Sequence, residues 1–365
     1  MIEQVIIQNY KSIKDLKLPL KQINVLIGSN GVGKSNFISF FELTKSIYEQ
    51  NFGAFTLEKG GIDSLLYRGR QISERISGVL DFDNTNAFYF HIKPKQSEKG
   101  YIEESGDYFN ANEDSSKNYY HWSTRKWDVA TDESSLREMY IGRARYVKNY
   151  LNSFTIYHFH DTSSTSPMRG SCNINDNYNL KHNGSNLAAY LYKLSIVDTK
   201  AFKLIEATVR SIAPYFKRFN LRENPNVAGT IQLEWEENGS DMYLNGYSFS
   251  DGTLRFIALA TLLLQSKLPE AIIIDEPELG LHPAAIDKFA ALVNRASNSS
   301  QIIISTQSTN VVNNFEVKDI ITVDRGDSGE SIFKHLSKDD LSVWMDEYNY
   351  SISELWEKNI IGGQL

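Results

Sequence analysis

The run Gly28-Ser-Asn-Gly-Val-Gly33-Lys34-Ser35 constrains this chain more than any other feature. Its glycines permit a turn tight enough for successive backbone N–H groups to converge on one pocket. The spacing fits G-x-x-x-x-G-K-[ST], the phosphate-binding loop. Such a loop lies between a buried strand and the start of a helix, whose positive dipole end adds to the pocket. Both flanks are present. Residues 22–27 are rich in Ile and Val, and Phe37, Ile38, Phe41, Ile47 and Tyr48 recur close to helical spacing. Gly28, Ser29, Asn30, Gly31, Val32, Gly33, Lys34, Ser35 and the adjoining Asn36 are therefore candidates to bind a nucleotide. Lys34 would reach the β- and γ-phosphates, and the Ser35 hydroxyl would ligate magnesium. ATP and Mg2+ are the implied cofactors.

A second feature completes the chemistry far along the chain. Ala271-Ile-Ile-Ile-Asp275-Glu276-Pro277 is a continuous apolar run ending in two carboxylates, as a buried parallel strand would. Asp275 would hold magnesium through its water shell. Glu276 would orient or deprotonate an attacking water. The loop near residue 30 and the carboxylates near residue 275 are expected to serve one site, so the 365 residues do not divide into two sequential domains. The expected organisation is 1–75, the first part of an ATPase core with the phosphate loop; 76–135, an antiparallel β-rich insertion; 136–228, a helical or mixed lobe; and 229–365, the second part of the core.

Local patterns fill in the elements. Residues 2–8 read as a strand, and Lys11 to Pro19 as a polar turn region with alternating Leu. Asp83-Asn-Thr-Asn reads as the turn of a hairpin. The polar stretch 95–135 reads as antiparallel strands with long loops, its later part mobile. Asn186–Leu194, Ala201–Ile212, Leu254–Gln265 and Ala284–Ala296 read as helices. Ile231 to Glu236 alternates as a strand before Asn238-Gly239, a hairpin signal. Gln301–Ser305 reads as another buried strand.

Composition excludes several classes. Hydrophobic residues are 41% and charged residues 23%, ordinary for a globular chain. The net charge of −7 gives no global footprint for nucleic acid. The clusters Arg68-Gly-Arg70, Arg143 to Lys148 and Lys217-Arg218 read as solvated faces. A single cysteine, Cys172, excludes an intrachain disulfide, and a Cys/His metal site is not expected. His158 and His160 read as packing or hydrogen-bonding residues. The longest apolar stretch, near Phe256–Leu264, is far short of the roughly 20 residues that span a bilayer. No secretory signal opens the sequence. A cytoplasmic protein without membrane association is expected.

Twenty-five residues before Asp275, Ser248-Phe-Ser250-Asp251-Gly252-Thr-Leu-Arg255 sets a serine and a glycine at a helix start. By itself this is a common turn or N-cap. In this place it resembles the signature motif of ABC-type ATPases, with Asp251 where a glycine is commoner. The resemblance is to the SMC/RecF-like branch of that class. It is closer still to the compact bacterial AAA-family ATPases often encoded in anti-phage defence operons. The resembling residues run the length of the chain. They are Asn9-Tyr10-Lys11-Ser12, the phosphate loop, Gly60 to Gly69, Tyr157-His-Phe-His-Asp161, Asn186-Leu-Ala-Ala, Asp275 to Pro283 and Ser353 to Gly363.

The resemblance implies an α/β fold: a P-loop NTPase of ABC-ATPase head type, with a mixed central sheet, an antiparallel β subdomain and a helical lobe. It implies that Ser250, Asp251 and Gly252 of one protomer cap the nucleotide held by another. A homodimer or higher homo-oligomer would then sandwich ATP. Glu278 to Pro283 resembles the D-loop that lines such an interface. Lys11 stands where relatives often carry a basic residue near the nucleotide. The switch position after Ile302–Ser305, His in ABC-type relatives, is Gln307. Glutamine can orient a water or donate to phosphate oxygens but takes up no proton near pH 7. Slow or partner-triggered hydrolysis is therefore expected, with Glu276, Lys34 and Gln307 as the catalytic set.

The leading expectation is an ATP-hydrolysing switch that controls a separate effector, a nuclease or toxin. Only about ninety residues follow Glu276, which leaves no room for the nuclease domain fused in OLD-type relatives. The alternative is a DNA-binding repair clamp of RecF/SMC type. Acidic charge and the absence of coiled-coil heptads weigh against it. A non-hydrolysing scaffold with ATP as structural glue is a third reading, opposed by the intact Asp275-Glu276 pair.

Overall fold

The structure is a computed structural model that describes residues 1–110, 122–140, 142–342, 344–345, 348 and 350–362. It divides into two compact units, Met1–Phe154 with Glu316–Leu365, and Thr155–Phe315. Among the described residues, no helix is long and apolar enough to cross a membrane.

The first unit is built on two sheets. One is antiparallel and six-stranded, in the order Ile13–Pro19, Ile2–Tyr10, Ile76–Phe82, Asn86–Pro94, Gly100–Phe109, Ser123–Thr131. In the other, Ile23–Ile27 runs parallel to Ile320–Arg325, which pairs antiparallel with Ser331–His335. Every residue of Ile23–Ile27 is buried, which explains its unbroken apolar character. The helix Lys34–Tyr48 joins the two sheets through its aromatic face. Phe40 stacks on Phe90 of the first sheet at 5.7 Å, and Phe37 meets Phe333 of the second at 5.4 Å.

The second unit pairs Ala271–Asp275 in parallel with Gln301–Thr306. The last three residues of the strand Phe154–Tyr157 open this unit beside Ala271–Asp275. Helices Leu187–Val197, Thr199–Ile212, Asp251–Leu264 and Pro283–Ala296 accompany them. The helix Asp251–Leu264 is buried almost all round, from Thr253 to Leu264. A small antiparallel sheet of Phe216–Phe219, Glu234–Glu237 and Tyr243–Asn245 packs through Trp235, stacked on Phe249 at 4.5 Å.

Two expectations need correction. Lys11 to Pro19 is not a turn region: Ile13–Pro19 is a strand paired along Ile2–Tyr10, with Ile13, Leu16 and Leu18 buried. Its charged residues point outward, so the polar composition reflects a half-buried strand. Ile231 to Glu236 is not one strand. Thr230–Ile231 pairs with Cys172–Asn173, whereas Glu234–Glu237 joins the small sheet. The Asp83–Asn84 turn does close a hairpin, with both residues at positive φ. Part of the polar stretch expected to be mobile, 111–121, lies outside the described residues.

Candidate functional site

The phosphate-loop sequence connects Ile23–Ile27 to the helix Lys34–Tyr48. Gly33 is the helix N-cap at φ 122°, and no side chain caps the first turn. The first N–H groups of that helix thus lack a side-chain acceptor, as an anion site requires. A Cβ on Gly33 would overlap the Ser331 hydroxyl, and one on Gly28 would lie 2.5 Å from the Val323 carbonyl oxygen. Those two glycines are required by close approach. Gly31, at φ 79° with open space around it, is required by conformation alone.

Lys34 is buried and folds back over the loop, where Nζ donates to the carbonyls of Gly28 at 2.6 Å and Ser29 at 2.9 Å. Asn30, Gly31 and Ser35 are exposed, and Val32 is buried. Asn36 Nδ2 donates to Ser12 Oγ at 2.7 Å, and Ser12 Oγ lies 2.6 Å from Ser331 Oγ. The Ser331 hydroxyl donates in turn to the Val32 carbonyl. Arg325 grips the Gly31 carbonyl with Nη2 at 2.6 Å and Nε at 3.1 Å. Lys11, in the left-handed region at φ 50°, donates from Nζ to Ser39 Oγ at 2.7 Å, one turn beyond Ser35. Burial holds its amine below the ordinary lysine value.

In the second unit, adjacent parallel strands bring Asp275, Glu276 and Gln307 to their carboxyl ends. The Ser305 hydroxyl donates to Asp275 Oδ1. Glu276 adopts φ 41°, unusual for a side-chain-bearing residue, and its N–H donates to Ser305 O at 2.9 Å. The Gln307 N–H donates to Glu278 Oε1 at 3.2 Å, and Thr306 Oγ1 donates to the same oxygen at 2.6 Å. Ser250 caps the helix Asp251–Leu264 by accepting from the Thr253 N–H. A Cβ on Gly252 would overlap the Gly280 carbonyl oxygen, so the signature-like glycine is required by contact with the D-loop-like segment. A cleft of about 320 Å³ beside them is lined by Ser250, Gly252, Gly280 and His282.

Several residues position this region without having been given a site role from the sequence. Arg169 is buried and donates to the carbonyls of Thr162, Gly246 and Phe249 and to Asp251 Oδ1 at 2.7 Å. That contact accounts for an aspartate where a glycine is commoner. Arg255, also buried, donates to Phe159 O at 2.9 Å and His160 O at 2.8 Å. His160 Nε2 donates to the Asp275 carbonyl at 2.8 Å. The sequence did not reveal these contacts, because all the partners but Thr162 lie between 77 and 115 positions away.

Residues 23–313 match the family described as "AAA domain, putative AbiEii toxin, Type IV TA system". A curated relative, the OLD nuclease of Thermus scotoductus, is 22% identical over 354 residues, 90% of this chain. The chain spans 63% of that relative's length. Among solved structures, an SMC head bound to the C-terminal winged-helix domain of ScpA aligns with a TM-score of 0.62 at 16% identity, covering 93% of this chain and 99% of that one. The SMC head of Pyrococcus furiosus, with an extended coiled coil and the C-terminal domain of ScpA, gives 0.59 at 16% identity, with 96% and 99% covered. The fold is thus that of an SMC-type ATPase head, and the chain belongs to this AAA-domain family of ABC/SMC-like P-loop ATPases.

Proposed function

We propose that this ATPase binds and hydrolyses ATP as a switch, closing a homodimer around the nucleotide and controlling an effector nuclease or toxin in anti-phage defence. The observation that carries the hydrolytic part is the meeting of Asp275, Glu276 and Gln307 at the ends of two adjacent parallel strands. The donor sets fit the implied cofactors. The glycine-rich loop and the uncapped start of Lys34–Tyr48 suit phosphate oxygens, and hydroxyl and carboxylate donors such as Ser35 and Asp275 suit magnesium. Bound magnesium would neutralise developing charge on the phosphates.

The remaining roles belong to the chain. Gly28 to Asn36 hold the phosphates through backbone N–H groups. Lys34 moves its ammonium from the loop carbonyls to the phosphate oxygens. Glu276 takes the proton of the attacking water, and Gln307 orients that water. Lys11 lies on the helix face one turn beyond Ser35 and supports the phosphate end electrostatically. Ser250, Asp251 and Gly252 present a helix start to the nucleotide of a second copy. The effector part draws on the likeness to the OLD nuclease and on the family description.

The test is Glu276→Gln assayed with ATP and magnesium. Turnover should fall about 10²- to 10⁴-fold while ATP binding persists. Turnover at the parent rate would remove Glu276 from the base role.

A further inference from the structure

The second unit holds one grouping whose two histidines the nucleotide reading leaves unused. His158, His160 and Asp275 each offer one ligand atom, and these atoms all lie within 4.8 Å of one another. All three residues are half-buried, within reach of solvent but shielded from bulk water. His158 and His160 are two positions apart in the extended segment that follows the strand Phe154–Tyr157. That spacing sends both rings to one side of the backbone, and their centroids lie 5.9 Å apart. Phe159 between them is buried.

The segment is held in place before any ligand arrives. Arg255 fixes the carbonyls of Phe159 and His160 from the buried helix Asp251–Leu264. His160 Nε2 donates to the Asp275 carbonyl, so in the neutral ring Nδ1 carries the lone pair. A ring N–H given to a backbone carbonyl is the usual support for a metal-binding histidine, because it sets tautomer and orientation. The Ser305 hydroxyl takes one lone-pair position on Asp275 Oδ1, and an ionised carboxylate has about four.

We propose that His158, His160 and Asp275 form a binding site for a divalent transition-metal ion of the zinc, iron or manganese class. Two imidazoles and one carboxylate suit such ions. Magnesium and calcium prefer all-oxygen sets. Metal–nitrogen bonds of about 2.1 Å place tetrahedral ligand atoms roughly 3.4 Å apart, so atoms within 4.8 Å of one another would draw together on binding. Three protein ligands leave a coordination position open to water or a further ligand. The ion would tie the extended segment to the strand end, and through Arg255 to the signature-like helix. The site adds His158 and His160 to an aspartate that the ATPase reading also gives to magnesium, and it requires no nucleotide.

The test uses cobalt(II) chloride titrated into the chelator-stripped full chain without nucleotide. We expect visible d–d absorption that saturates at one cobalt per chain, is displaced by zinc and survives excess magnesium. His158→Gln and Asp275→Asn should each weaken cobalt binding by at least about tenfold. X-ray absorption on the cobalt-loaded parent chain needs no variant and should show scattering from two imidazoles. No saturable band, an all-oxygen shell, or unchanged affinity in a folded His158→Gln variant would overturn the site.

Discussion

Glu278 shows how much one side chain does at the strand ends. It is buried, and Oε1 holds both Thr306 and the Gln307 N–H. Oε2 has no hydrogen-bond partner among the described residues. Burial pushes the carboxyl above its ordinary value of 4.5, its hydrogen bonds pull it partly back, and the Glu276 charge adds to the upward push. A raised folded value means that the folded chain holds the proton more tightly than the unfolded one. The resulting stability is full below about pH 4.5 and is lost as pH rises through the folded value. Glu278→Gln does not titrate, so the parent should lose thermal stability relative to this variant as pH rises from 4.5. A melting-temperature gap that stays constant over that range would count against the raised value.

At the scale of elements, the phosphate loop is local in sequence but not in support. The order strand, loop, helix was legible from apolar runs and glycine spacing, because those properties lie within a few residues of one another. What holds the loop comes from Ile320–Arg325 and Ser331–His335, some three hundred positions on. Removing the two Arg325 bonds to Gly31 frees the loop tip. Arg325→Ala should raise the ATP dissociation constant about three- to tenfold, read by titration with a fluorescent ATP analogue. An unchanged constant would mean that the glycines alone set the loop. Ile13–Pro19 makes the same point in reverse. Its lysines and aspartate resembled a turn, and only pairing with Ile2–Tyr10 makes it a strand.

At the scale of the whole molecule, the proposed switch depends on a second copy. Ser250 is exposed at the start of a buried helix, with Gly252 packed on Gly280 beneath it. Ser250→Arg puts bulk and charge on that surface. Loss of the cap should cost about 1 kcal/mol, which a folded chain can bear. Light scattering should show an ATP-dependent dimer for Glu276→Gln and none when Ser250→Arg is added. A dimer that forms equally well in both would remove the signature-like motif from the interface.

The sequence by itself determined the family of chemistry: a phosphate cradle, a strand-end carboxylate pair and a signature-like helix start. Each is written in a few consecutive residues, where φ preference, burial period and residue type act locally. Tertiary structure decided what secures them. Ser331 and Arg325 hold the loop, Arg169 gives Asp251 its purpose, and Arg255 and His160 reach Asp275. Such contacts join residues far apart in the chain, and a hydrogen bond leaves no periodicity behind. His158 and His160 read as packing or hydrogen-bonding residues, and only the fold shows Asp275, 115 positions beyond His160, set beside them.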